Sequence, residues 1–179
     1  MLSLAMCTCV SPMRPQLSRM TQHFQVRLAR PDDLSAVDAL LARSFPRLLR
    51  ADYPPSIMVT LVPKLSRARP ELLASGQYFV AEDTRGRILG AGGFSLSGLV
   101  ANIRQVATDP DATRQGIGRR LMQAVFEAAD PLGVTRYDCM STLTAVPFYA
   151  SVGFVALGPV DVPLAPGLAF QVIRMQRVL

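Results

Sequence analysis

The chain has 179 residues, of which 50% are hydrophobic and 18% are charged, so it is long and apolar enough to fold as one compact domain. It contains no run of the ~18 to 20 apolar residues that a transmembrane helix needs, which argues against a membrane protein. The net charge is +6, but the basic residues form no cluster interleaved with aromatic residues, which argues against nucleic-acid binding and leaves an anionic ligand as the favoured class.

The first segment, residues 1–20, lacks the pattern of a folded element, since it contains two prolines and no acidic residue. A short organelle transit peptide and an over-extended start are alternatives. We predict that residues 1–20 form a disordered or dispensable head and that residues 21–179 form a single domain.

The rest of the chain shows two kinds of periodicity. Alternation of apolar and polar residues predicts strands, and apolar residues recurring every three or four positions predict helices, in the order β-α-α-β-β-β-α-β-α-β-β. The predicted strands are 24–29, 77–82, 87–96, 99–108, 134–141, 154–160 and 169–178. The predicted helices run from Asp32 to Pro46, from Pro55 to Leu65, from Gln115 to Ala129 and from Thr144 to Val152, with one further turn at 70–75.

Three local features qualify this pattern. Pro46 is expected to end the first helix early, because proline lacks a backbone N–H. A proline-rich loop is expected from Pro159 to Ala169, and the glycines at 90, 92 and 93 indicate a bulge or bend. The unit from 99 to 141 should be a right-handed parallel crossover.

The segment "TRQGIGRRL", residues 113–121, heads the predicted helix 115–129. Unpaired N–H groups and glycines at a helix N-terminus suit a pyrophosphate, but a tight packing turn has the same spacing. A P-loop is excluded, since no Gly-Lys-Ser/Thr follows the glycines. A dinucleotide fingerprint lacks its third glycine, because Leu121 stands there, which argues against an oxidoreductase.

Two stretches together carry a family resemblance. The stretch "VATDPDATRQGIGRRLMQAVFEAA", followed by a strand and "STLTAVPFYASVGF", resembles the GCN5-related N-acetyltransferase (GNAT) family over residues 24–178. The two diagnostic pieces are the Gly-x-Gly loop and the Phe-Tyr-x-x-x-Gly-Phe close. The resemblance implies an α/β fold in which a mixed, centrally splayed β-sheet of about seven strands carries helices on both faces.

The resemblance also implies a binding site for acetyl-CoA, with no metal, where strands 99–108 and 134–141 splay apart. The cofactor-binding residues that it implies are Val106, Ala107, Thr108, Thr113, Arg114, Gln115, Gly116, Ile117, Gly118, Arg119, Arg120 and Thr142. Thr113 stands where relatives usually have Gln or Arg, and Thr142 where many have Asn. Backbone N–H groups should therefore carry most of the phosphate binding, helped by Arg114 or Arg119.

For catalysis, the resemblance implies that Tyr149 is the general acid that protonates the leaving thiolate, and that the N–H of Val106 or Ala107 polarises the acetyl oxygen. A packing role for Tyr149 is the alternative. The general base is missing from strand 99–108, where Asn102 and Arg104 can only position a water.

Other groups near this region are weaker candidates for a catalytic role. Glu82 and Asp83 are alternatives as a base or are solvated surface acids, and His23 is expected in a tail. The three cysteines, Cys7, Cys9 and Cys139, are odd in number and lack the spacing of a disulfide framework or a zinc site, so we expect reduced thiols, with Cys139 buried.

We therefore predict a cytoplasmic N-acetyltransferase, a monomer or homodimer, that acetylates a primary amine of a small molecule or peptide. A catalytically silent acyl-CoA-binding module is the alternative. The acceptor should be selected by the segments 46–56 and 159–169.

Overall fold

The structure is a computed structural model that describes residues 23–179. The predicted head, residues 1–20, lies outside the described residues, as do the two cysteines within it. Within the described range, no helix is both long enough and apolar enough to cross a membrane.

One seven-stranded mixed sheet organises the described residues, as the sequence predicts. Its order is β1-β2-β3-β4-β5-β7-β6, and every neighbouring pair is antiparallel except β4 and β5, which are parallel. The strands are β1 (Phe24–Leu28), β2 (Tyr78–Asp83), β3 (Ile88–Ser97), β4 (Val100–Thr108), β5 (Arg136–Ser141), β6 (Val155–Ala165) and β7 (Leu168–Val178).

Helices cover both faces of this sheet. They are α1 (Leu34–Leu48), α2 (Pro55–Leu65), α3 (Pro70–Leu73), α4 (Ile117–Ala129) and α5 (Val146–Ser151). Single 3-10 turns occur at Pro31–Asp33, Pro110–Ala112, Asp130–Leu132 and Leu143–Ala145.

Alternation along β2 shows how the two faces are divided. Phe79 and Ala81 belong to the core under α4 and α5, whereas Tyr78 and Val80 belong to the core under α1 and α3. Successive side chains of a strand point to opposite faces, so these are two separate hydrophobic layers. A third cluster packs α2 against β6 and β7 through residues such as Leu61. The fold class predicted from the sequence is confirmed.

The predicted early end of the first helix is wrong, since α1 continues through Pro46 to Leu48. A proline so close to the helix end removes one backbone hydrogen bond, and the burial of the residues that follow it offsets the cost of that loss. Leu49, which is 2% exposed, packs in the third cluster, and its N–H donates to the carbonyl of Phe45. Tertiary packing here outweighs local propensity.

The predicted proline-rich loop from Pro159 to Ala169 is also wrong, because β6 continues to Ala165 and pairs with β7 along most of that segment. Pro159 pairs with Ile173 and Pro163 pairs with Ala169. β6 is an edge strand with a neighbour on one side only, and proline is tolerated there because its missing N–H is not needed for pairing.

Candidate active site

The site begins where the parallel pair β4 and β5 stops. Their register covers three residue pairs, Val100–Asn102 with Arg136–Asp138, and none beyond. β4 nevertheless continues to Thr108. Among the described residues, the backbone groups on that edge of β4 have no strand partner there, and a cleft opens between the two strands, as the family resemblance implies.

A bulge on β4 shapes the inner end of this cleft. Between Arg104 and Ala107 the strand has one more residue than β3 opposite, and Gln105 takes a left-handed backbone with φ of 43°. The hydroxyl of Tyr78 donates to the carbonyl of Gln105 at 3.0 Å, which fixes the distortion. Gly92 on β3 allows it, since a Cβ there would lie 2.8 Å from the side chain of Val106 within the bulge. The predicted irregularity is therefore present, with the extra residue on β4.

At the outer end of the cleft, α4 presents unpaired backbone donors. The N-cap is Gly116 with φ of 81°, and no side chain in the described part of the chain caps the helix. The N–H of Arg120 is the first to bond within the helix, to the carbonyl of Gly116 at 3.0 Å. The N–H groups of residues 117–119 thus remain as donors at the positive end of the helix dipole, which suits an anion. The helix begins at Ile117 instead of Gln115 because Gly116 is left-handed.

The two glycines of the segment serve different purposes. Gly116 has open space around it, so its backbone conformation is what favours glycine. A Cβ on Gly118 would instead lie 2.9 Å from the ring of Phe148, so this glycine allows α4 and α5 to approach closely. The sequence left open whether the motif served packing or anion binding, and the structure shows packing for the second glycine.

A cavity of about 650 Å³, here called the large cavity, lies between this helix end, β4, α5 and the end of α1. Ten of the twelve predicted cofactor-binding residues line it: Val106, Ala107, Thr108, Thr113, Arg114, Gly116, Ile117, Gly118, Arg119 and Thr142. Gln115 and Arg120 do not; the Arg120 guanidinium lies 3.9 Å from Glu127 on the same helix.

Sequence reasoning missed the apolar wall of the large cavity. Phe45, Leu48 and Leu49 contribute from the end of α1, and Phe148 from α5. Phe148 was within the recognised Phe-Tyr pair, but the α1 residues carry no signal that distinguishes them from ordinary core positions. Leu48 and Leu49 reach the cavity wall because α1 continues through Pro46.

A buried ion cluster holds the loop between β4 and α4. Asp109 is fully buried, and its carboxylate accepts hydrogen bonds from Arg43 at 3.1 Å, Arg87 at 2.7 Å and the N–H of Asp111 at 3.0 Å. Loss of water on burial favours protonation, but the Asp111 N–H and the two guanidiniums outweigh it and lower the pKa of Asp109. The loop that leads to Gly116 is thereby tied to α1 and to the β2–β3 hairpin.

Tyr149, the predicted acid, lies next to Phe148 in a buried aromatic cluster. Its side chain is 7% exposed and packs against Phe148 and Phe154, and it is not among the described residues that line the large cavity. Burial, and to a smaller extent nearby Cys139, raises the pKa of its phenol, and no hydrogen bond within the described residues contributes to the shift. Tyr149 therefore stays protonated at neutral pH.

The thiol of Cys139 is buried at 5% exposure, as predicted, and burial followed by the charge of Asp138 raises the pKa to about 12. A thiol of this kind is protonated at neutral pH and is a poor nucleophile. The side chain packs in the core under α4.

The other residues considered as a base divide into two groups. Glu82 accepts a hydrogen bond from Arg27 at 2.6 Å, and Asp83 caps the β2–β3 turn through the N–H groups of Arg85 and Arg87. Neither lines a described cavity at the cleft. Asn102 and Arg104 line a second cavity, at the point where β4 and β5 separate. His23 is exposed just before β1, and the described residues contain no cluster of three or more potential metal ligands.

Comparison with known proteins is consistent with this geometry. Residues 74–156, which include the cleft, the Gly-x-Gly segment and the Phe-Tyr pair, match the family model of the acetyltransferase (GNAT) domain. The chain contains a GNAT acetyltransferase domain. No curated protein matches the sequence.

Solved structures resemble this GNAT chain over 87% of its length. They include a GCN5-related N-acetyltransferase from Rhodopseudomonas palustris, with 22% identity, a TM-score of 0.73 and 95% of that chain covered. A second is the PaiA N-acetyltransferase of Thermoplasma acidophilum in complex with coenzyme A, with 13% identity, a TM-score of 0.68 and 99% covered. A third, from Mycobacterium tuberculosis in complex with CoA, has 22% identity, a TM-score of 0.60 and 99% covered. At these identities the likeness concerns the fold.

Proposed function

We propose that the chain transfers the acetyl group of acetyl-CoA to a primary amine of a small molecule or peptide. The observation that carries the proposal is the combination of an open β4–β5 cleft with an uncapped α4 N-terminus at its mouth. Membership of the GNAT family and the CoA bound by two of the structurally similar proteins support acetyl-CoA as the donor.

The large cavity fits the chemistry of that donor. Its helix end offers three backbone N–H groups, and Arg114 and Arg119 add positive charge for a pyrophosphate. Its apolar wall, which includes Phe45 and Leu48, suits the alkyl part of a pantetheine arm. Thr113 stands in the place of the family's Gln or Arg, and its hydroxyl donates to the carbonyl of Pro110 at 3.4 Å. The backbone N–H groups would therefore be the main phosphate ligands.

The residues of the cleft would act on the acetyl group as follows. The unpaired backbone of β4 near the bulge, at Val106 or Ala107, donates a hydrogen bond to the acetyl oxygen. The amine nitrogen forms a bond to the acetyl carbon as the carbon–sulfur bond breaks, and the sulfur takes a proton from the phenol of Tyr149. The amine loses a proton to solvent, and solvent restores the phenol, so that the products are an N-acetyl amine and free CoA.

Tyr149 is supported in this role by its place in the Phe-Tyr pair of the matched GNAT segment, next to Phe148, which lines the large cavity. Its phenol is protonated at neutral pH, as the ordinary tyrosine pKa of about 10 already ensures. No hydrogen bond within the described residues contributes to the shift of that pKa, which fits a hydroxyl that is available to donate to sulfur.

The test is a paired measurement on the full chain. Isothermal titration measures binding of acetyl-CoA and of NADH, and a thiol reagent measures CoA release with a panel of amines, antibiotics and peptides with free N-termini. Binding of acetyl-CoA with amine-dependent thiol release supports the proposal. Binding without release from any amine indicates a silent acyl-CoA-binding module, and tight NADH binding without CoA binding contradicts the assignment of the cavity.

A further inference from the structure

A second cavity of about 400 Å³ opens at the point where β4 and β5 separate. Its walls come from β4, β5, β7, α3 and the residue just before α3, and its lining differs from that of the large cavity at every residue. We call it the arginine cavity because Arg69, Arg104 and Arg174 line it.

Strand alternation places this cavity on the face opposite Tyr149. Asp138 and Met140 of β5 are two residues apart and point to one face, whereas Tyr137 and Cys139 point into the core that contains Tyr149, although Cys139 also borders the arginine cavity. The arginine cavity and the proposed acid therefore approach the cleft from opposite faces of the sheet.

The cationic side chains of this cavity outnumber its carboxylates by three to one. Within residues 23–179, Arg69 and Arg104 form no ion pair, and the Arg104 Nε donates to the hydroxyl of Ser95 at 2.9 Å. Arg174 approaches a carboxylate oxygen of Asp138 only at 3.7 Å. This cavity therefore holds guanidinium donors that remain available to an anionic group.

Among residues 23–179, Asp138 is the single carboxylate that lines the arginine cavity. Its side chain is 16% exposed and sits beside Asn102, its register partner on β4. One oxygen accepts from Gln176 at 3.0 Å and lies 3.4 Å from Arg136, whereas the other has only the 3.7 Å contact with Arg174. The second oxygen is thus free to accept a hydrogen bond from an ammonium group.

We propose that the arginine cavity is the acceptor site and that it selects amines that also carry an anionic group, such as a carboxylate or phosphate. This inference rests on the proposed function. Asp138 accepts a hydrogen bond from the ammonium group at the cleft, and the proton leaves to solvent before attack. Arg69 and Arg104 bind the anionic group through charge-assisted hydrogen bonds, and Arg174 on β7 adds a third positive charge to the cavity.

The experiment compares matched acceptors with the full chain and acetyl-CoA. The pairs are alanine with alaninamide, β-alanine with β-alaninamide, γ-aminobutyrate with γ-aminobutyramide, and O-phosphoethanolamine with ethanolamine. In at least one pair, the anionic member should have a kcat/KM about ten- to a hundredfold higher than its neutral partner, the range expected for a charge-assisted hydrogen bond.

Variants separate the two halves of the site. Arg69→Gln and Arg104→Gln should each raise the KM for the anionic member about tenfold and leave the neutral member unchanged. Asp138→Asn should lower kcat/KM for both members, because both carry the amine. Arg85→Gln, on the exposed β2–β3 turn, is the matched control and should change neither. Unchanged melting temperature and acetyl-CoA affinity show that each variant is folded.

The outcomes distinguish this inference from the proposed function. If neutral members are acetylated as well as their anionic partners in every pair, or if the arginine variants affect both members equally, the anion selectivity is wrong while the acetyltransferase activity stands. If no amine of either class releases CoA although acetyl-CoA binds, the proposed function fails and the acceptor site falls with it.

Discussion

Replacing Asp109 by asparagine tests the buried ion cluster that holds the β4–α4 loop. The carboxylate is fully buried and accepts charge-assisted hydrogen bonds from Arg43 and Arg87. Each such bond is worth about 1.5 to 3 kcal/mol when buried. The two arginine side chains are 39% and 52% exposed and recover hydration when the charge is lost, so the sum must be discounted. We expect Asp109→Asn to lower the free energy of unfolding by about 2 to 3 kcal/mol.

The assay is thermal and urea unfolding followed by circular dichroism at neutral pH. For a chain of this size the loss corresponds to a fall in melting temperature of about 4 to 12 °C. Asp111→Asn is the matched control, since Asp111 pairs with Arg47 through side chains that are 63% and 69% exposed. That surface pair should contribute less than about 0.5 kcal/mol. A change at Asp109 no larger than the change at Asp111 would refute the argument from burial.

The pH dependence of the stability difference between wild type and Asp109→Asn tests the same argument independently. The folded protein lowers the pKa of Asp109, so its ionised form stabilises the fold at any pH above the ordinary carboxyl pKa of about 3.9. That contribution is lost as the pH falls from there through the lower pKa of the folded state. The difference in stability between wild type and Asp109→Asn should therefore be constant above about pH 5 and shrink below about pH 4. A difference that instead grows in acid contradicts the assignment.

Four further predictions follow from single contacts. Tyr149→Phe should lower turnover by more than about tenfold with little change in acetyl-CoA affinity, and an unaffected rate removes Tyr149 as the acid. Gly116→Ala should weaken CoA binding about fivefold by titration calorimetry, because a non-glycine residue in the left-handed conformation costs about 1 to 2 kcal/mol. Gly98→Ala is the control and should leave CoA binding unchanged, since Gly98 is also left-handed but lies on a distant turn. Tyr53→Phe should lower the free energy of unfolding in urea by about 1 to 2 kcal/mol, since the Tyr53 hydroxyl donates to the carbonyl of Gln171 and accepts from the N–H of residue 143. An unchanged free energy of unfolding would show that these two hydrogen bonds do not stabilise the fold. Once the two N-terminal cysteines are serine, Cys139 should resist thiol reagents at pH 8 until urea unfolds the chain, and fast native labelling would contradict its burial.

Much of the fold could be predicted because it follows from local periodicity. The alternation over β1 and β4 and the helical spacing over α4 are each dictated by which face of an element is buried, and a short window of sequence records that. The left-handed backbone of Gly116 was not predicted, since the helical spacing alone places the start of the helix at Gln115.

Two errors of prediction have a common cause. Pro46 and Pro159 were expected to interrupt regular structure, as they do in an isolated helix or a central strand. In the folded chain Pro46 lies in the last turn of α1, and Pro159 lies on the outer edge strand β6. The missing N–H of a proline destabilises an element only where a carbonyl would otherwise accept from it. Whether such a carbonyl is present depends on distant parts of the chain.

For the candidate site, the sequence by itself located the segment that we propose binds phosphate, because Gly116 and the residues after it would act through their own backbone. Only the tertiary structure brought Asp138 of β5, Arg104 of β4 and Arg69 before α3 around one cavity. These residues are up to 69 positions apart and each resembles an ordinary surface charge in isolation. Long-range strand pairing, and its interruption after Asn102, decides which charges face the cleft, since hydrogen-bond register is a property of two strands together.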